Sequence, residues 1–104
     1  MKTSTGLTAT FEVQQDDRSR VTGVLHFATV AALLQPGTAA IAAGQAAVMD
    51  LAGVNDSDSA GLALLIEWLS VAKAASRSLR YENIPSQLLQ LARLSEVEEL
   101  LTAG

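Results

Sequence analysis

The sequence predicts one α/β domain: a mixed sheet of about four strands with helices packed against it, in the order ββαβαβαα. Three features carry that prediction. The chain opens with two period-two segments joined by a polar turn, then alternates short apolar runs with longer stretches of helical period. Its 104 residues suffice for one hydrophobic core and not for two, so residues 1–104 read as a single domain.

Leu7 to Gln14 alternates, with Leu7, Ala9, Phe11 and Val13 on one side and polar residues on the other, the pattern of an edge strand with one wet face. Gln15 to Arg18 is a polar turn, and Ser19 to Leu25 returns as a second strand. Phe27, Val30, Ala31 and Leu34 fall at the i, i+3, i+4, i+7 spacing of a helix, which Pro36-Gly37 is expected to interrupt, with Ala-rich Thr38 to Gly44 either resuming it or forming a second turn. Ala46 to Leu51 reads as a short central strand covered on both faces.

From Ser59 to about Ser76 there is no proline, and Leu62, Leu65, Leu69 and Ala72 form a stripe for the sheet. Leu64, Trp68 and Val71 widen the apolar arc, either to pack on the neighbouring helix or to meet a partner. Leu79 to Glu82 is a last strand. Pro85 opens a helix with Leu88, Leu91 and Ala92 inward, and Ser95-Glu96-Val97-Glu98 has the form of a capping box for a short final helix burying Val97, Leu100 and Leu101.

Composition narrows the chemistry. Hydrophobic residues make up 49% and aromatics only 4%, so an aliphatic core is expected. Eleven acidic residues against seven basic ones, with no Lys/Arg cluster, disfavour a nucleic-acid partner. No cysteine is available for a disulfide or a thiolate metal site. Residues 1–6 are polar, are expected to be flexible and lack the apolar centre of a secretory signal, which favours a cytoplasmic protein. No apolar run is long enough to insert in a bilayer, so any membrane association has to come through a partner.

The single histidine, His26, has no evident orienting carboxylate in the sequence. P-loop, dinucleotide-binding and metal-ligand spacings are absent, and the chain reads as non-enzymatic, with no cofactor and no metal. The distinctive chemistry lies at Asp56-Ser57-Asp58-Ser59, four good helix N-cap residues in succession at the mouth of a strand-to-helix turn. One cap suffices for a helix. Either Asp58 or Ser57 caps the helix while the acidic side chains complement its dipole, or the surplus presents an exposed hydroxyl at Ser59 that a partner contacts or a kinase modifies; the helix N-terminus itself offers a third reading, an anion site.

Asp50-Leu51, Val54 and Asp58-Ser59-Ala60-Gly61-Leu62 match in order the signature D-L-x-x-V-x-x-x-D-[ST]-[SGA]-G-L, and the chain therefore resembles STAS domains, the fold of anti-sigma-factor antagonists. Val21 to Leu25 resembles the family's opening strand, and Ile84-Pro85-Ser86 with Leu88, Leu91, Ala92 and Leu94 its third helix. Gly61 to Leu65 followed by Val71-Ala72-Lys73 is similar to the MlaB branch, the small stand-alone STAS subunits of phospholipid ABC transporters.

That resemblance implies a STAS fold and a non-enzymatic accessory subunit, cytoplasmic and peripheral to the inner membrane. It would dock on an MlaF-like ATPase and, through it, on an MlaE-like permease and an MlaD-like lipid-binding protein. Asp58, Ser59, Ala60, Ala63 and Leu64 are the implied contact residues. The alternative it implies is an anti-sigma-factor antagonist phosphorylated at Ser59. Gly23-Val24-Leu25-His26 stands where antagonists usually carry G-E-L-D, a departure that favours the transporter branch.

Overall fold

A computed structural model describes residues 8–102 and has the predicted element order. Strands β1 (Ala9–Val13), β2 (Arg18–Leu25), β3 (Val48–Ser57) and β4 (Arg80–Glu82) lie in the order β1-β2-β3-β4. β1 and β2 form an antiparallel hairpin, while β2, β3 and β4 run parallel. Helices α1 (Phe27–Ala42) and α2 (Ser59–Ala74) supply the two crossovers. Two right-handed crossovers that step in one direction across a sheet place both helices on the same face. Helices α3 (Ser86–Leu94) and α4 (Glu98–Thr102) complete that layer against α2. The expectations for residues 1–6 and for Leu7 lie outside the described residues.

Burial alternates accordingly. Ser19, Val21 and Leu25 of β2, Met49, Leu51 and Val54 of β3, and Tyr81 of β4 face the helices and are buried. The opposite face carries Arg18, Arg20, Asp50 and Glu82: Asp50 accepts from the Asn83 side chain and the Ala52 amide, while Arg20 pairs with Glu12 and Glu82 with both Arg18 and Arg80. Such pairs are each worth at most about 1 kcal/mol. β3 is thus interior to the sheet but covered on one side only, contrary to expectation, because every crossover helix lies on the same side. It also extends to Ser57, so that Asp56 and Ser57 belong to the strand.

The core is mainly aliphatic, with the rings of Trp68 on α2 and Tyr81 on β4 within it; Trp68 lies tilted on Phe11 with centroids 5.8 Å apart. Tyr81, pushed well up in pKa by burial, donates its hydroxyl to the Leu65 carbonyl at 2.6 Å. Three further sequence expectations are corrected. Pro36 does not end α1, which runs unbroken to Ala42. This turn packs closely on α2: a Cβ at the adjoining Gly37 would come within 2.3 Å of the Trp68 ring, and Trp68 Nε1 donates to the Leu34 carbonyl at 3.2 Å. Packing across the two helices outweighs the amide proton lost at proline.

The second correction concerns the α1 stripe. The buried face is Thr29, Leu33, Gly37, Ala40 and Ile41, whereas Phe27, Ala31 and Leu34 are exposed and Val30 is half-buried. Third, no capping box forms at Ser95. Glu98 turns instead to Arg93, with contacts of 2.8 and 3.2 Å, and Leu100 is exposed while Leu101 is buried.

Candidate docking site at the β3–α2 corner

β3 enters the core with Ser57 and leaves it with Asp58, and the turn between strand and helix is held by hydrogen bonds on every side of Asp58. The Asp58 backbone is extended, as an N-cap requires, and its Oδ1 accepts from the Ala60 amide at 2.8 Å. Oδ2 accepts from the Phe27 amide, the first of α1, at 3.2 Å. One carboxylate therefore caps two helices. The Asp58 amide donates to Leu25 O and its carbonyl accepts from Gly61 N, each at 3.0 Å, which fastens the corner to the end of β2 as well.

Ser57, 3% exposed, donates its hydroxyl to the Asp58 carbonyl at 3.0 Å. Gly61 is required by this closeness: a Cβ on it would lie 2.1 Å from Ser57 Oγ and 2.8 Å from Leu25 Cβ. The first turn of α2 is thereby pressed against the ends of β2 and β3. That contact is the physical content of the glycine in the D-S-A-G-L run.

Ser59, the first residue of α2, is exposed, and its hydroxyl has no hydrogen-bond partner among the described residues. Ala60 is half-buried and Ala63 exposed, along the same side of α2. Leu64 is only 5% exposed; it forms the floor between α1 and α2 and offers a partner only its edge. Trp68 is fully buried and Val71 half-buried, so the extra apolar arc of α2 goes chiefly to packing within the chain.

An open groove of about 320 Å³ lies between the two helices. Val30, Ala31 and Leu34 form its α1 wall; Ala60, Ala63, Leu64 and Glu67 form its α2 side. Phe27 continues the α1 stripe beside the capped corner and is 83% exposed. Neither Phe27 nor the outward turn of Leu34 is evident from sequence, because i, i+3, i+4, i+7 spacing marks an apolar stripe without saying which side it faces.

His26, the N-cap of α1, does have a carboxylate partner: Nε2 lies 3.0 Å from Asp56 Oδ2. The Gln87 side chain, the Ser57 amide and then His26 hold the Asp56 carboxyl below the usual carboxylate range. Among the described residues no serine hydroxyl is hydrogen-bonded to the His26 ring, so the pair activates no nucleophile there. The anion-site reading loses donors to the cap: the Asp58 carboxylate accepts from the Ala60 amide and its carbonyl from the Gly61 amide, and of the first-turn amides that of Ser59 has no partner among the described residues.

No helix among the described residues is long and apolar enough to cross a membrane. No curated protein matches the chain. The family model described as "Mlab, STAS domain" matches residues 11–102, a span that begins within the hairpin and ends with α4. Members of this family are generally binding or regulatory domains without catalysis of their own. With the strand order, the one-sided helix layer and the glycine-tightened corner in agreement with that match, the chain belongs to the MlaB-type STAS domains.

Proposed function

We propose that the chain is a non-enzymatic accessory subunit that docks on the ATPase subunit of a phospholipid-transporting ABC transporter and supports it in maintaining outer-membrane lipid asymmetry. In this reading it is a cytoplasmic protein held at the inner membrane by an MlaF-like ATPase, with an MlaE-like permease and an MlaD-like protein in the same assembly. The observation that carries the reading is the exposed, unengaged Ser59 hydroxyl on a corner held rigidly by Asp58, beside an open apolar groove. Ser59, Ala60 and Ala63 touch the ATPase, Asp58 positions them, and Leu64 supports them from below.

The test is affinity capture of the tagged chain from solubilised membranes of its host, with mass spectrometry of what is bound. An ABC ATPase is expected with the parent chain and is lost with Ser59→Arg, while the melting temperature stays within a few degrees because the side chain is exposed. Capture of a kinase-like anti-sigma factor instead, with phosphate found on Ser59, would establish the antagonist reading in its place. Undiminished ATPase capture by Ser59→Arg would remove this corner from the interface.

A further inference from the structure

We infer that the groove between α1 and α2 receives an amphipathic helix of the partner, two to three turns long, which places a lysine or arginine beside Glu67. That this groove belongs to the docking surface rests on the function proposed above; the shape and charge of its occupant are read from the groove itself.

The walls are two stripes at helical spacing, Val30, Ala31 and Leu34 on α1, preceded one turn earlier by the exposed Phe27, and Ala60, Ala63, Leu64 and Glu67 on α2. Both helices start at the carboxyl ends of parallel strands, so the stripes run side by side in the same direction. The alanines at 31, 60 and 63 let a third backbone approach closely, as in ridge-and-groove helix packing. Ala60 to Glu67 spans about 10 Å at 1.5 Å per residue, which sets the length of helix that fits.

Backbone hydrogen bonding selects a helix over an extended segment. Apart from the Glu67 carboxylate the lining side chains are all aliphatic. An extended or irregular chain laid there would bury amides and carbonyls without partners, whereas a helix satisfies its own. Charge sets the composition of its flank. Among the described residues Glu67 is the sole ionisable one lining the groove, and the Asp56 and Asp58 carboxylates lie at the nearby corner.

The basic residues described in the structure are all engaged or located elsewhere. Arg18, Arg20 and Arg80 lie in ion pairs on or beside the wet face of the sheet, and Arg93 is paired with Glu98. Arg77 donates to the Ala42 carbonyl, and Lys73 borders a different hollow, beside Leu100. Among the described residues no cation within the groove neutralises Glu67, so a basic residue of the incoming helix gains a charge partner and an acidic one is repelled.

The experiment places the photocrosslinker benzoylphenylalanine at Leu34, on the rim, and as a control at Gln14 on the opposite end of the sheet, in the intact chain expressed in its host. The expected product is crosslinked at Leu34 to a helical segment with apolar residues at i and i+3 or i+4 and a Lys or Arg within one turn. Glu67→Lys should lower its yield at least about tenfold, and Glu67→Gln less, while the Gln14 site gives none of this product.

Three results would overturn the inference: a crosslinked segment that is extended, acidic or from a second copy of this chain; a yield indifferent to Glu67→Lys; or no crosslink at Leu34. A basic amphipathic helix belonging to a protein other than an ABC ATPase would uphold the inference and defeat the proposed function. Capture of the ATPase through some other segment would do the reverse.

Discussion

Asp58→Ala tests whether one carboxylate ties together the starts of two helices. Loss of the 2.8 Å bond from the Ala60 amide removes the N-cap of α2, worth typically about 1 kcal/mol. The 3.2 Å bond from the Phe27 amide is longer and lies where water can replace it, so its loss adds about 0.5–1 kcal/mol. The sum, about 1.5–2 kcal/mol, lowers the melting temperature of a domain of this length by roughly 6–16 °C.

Asp58→Asn separates the two bonds. The amide oxygen can still cap Ala60, but the side-chain NH2 then faces the Phe27 amide, so this variant should melt between the parent and the alanine variant. Ser59→Ala, one residue away and exposed, should stay within about 0.5 kcal/mol of the parent. Urea titration and thermal melting of the three variants decide the matter. If Asp58→Ala is indistinguishable from the parent, or Asp58→Asn is as damaged as Asp58→Ala, the double cap does not operate.

Three further outcomes are expected. Gly37→Ala forces a methyl against the buried Trp68 ring and should destabilise by about 1–3 kcal/mol in urea, with the tryptophan emission shifted to the red as the ring is displaced. Phe27→Ser should leave stability unchanged, since the ring is exposed, yet reduce capture of the partner as judged by pull-down. Acid should destabilise the fold through Glu82, Asp50 and Asp56. Arg18 and then Arg80 hold the Glu82 carboxyl low, Asn83 and the Ala52 amide do so for Asp50, and the Gln87 side chain leads the causes at Asp56. Their stabilisation is therefore fully present above about pH 4.5 and is lost as pH falls through the depressed folded values. Glu82→Gln should flatten that acid limb in urea titrations at successive pH values, and an unchanged limb would contradict the assignment.

The order of elements and the corner were legible in the sequence because both are local. Apolar runs of strand length alternate with helical stripes, and Asp58 to Leu62 sets cap and helix start within five residues. What escaped reading depends on contacts between distant segments. The run of α1 through Pro36 brings Gly37 against Trp68, far along the chain, and which side of the α1 stripe faces outward is set only once the helices are packed. Asp56 looked like a spare cap but lies within β3, one residue before its end, and meets His26, a pairing that arises only once β2 and β3 lie in parallel register. The second capping role of Asp58 is hidden for the same reason: periodicity sees one helix at a time.

The single-sided helix layer has a practical corollary. Since the chain has no cysteine, Ala52→Cys, exposed on the uncovered side of β3, would provide a unique thiol for a dye or spin label directed away from the helices. A probe fixed there could follow assembly from behind, reporting distance to a second label on the partner without standing between the two.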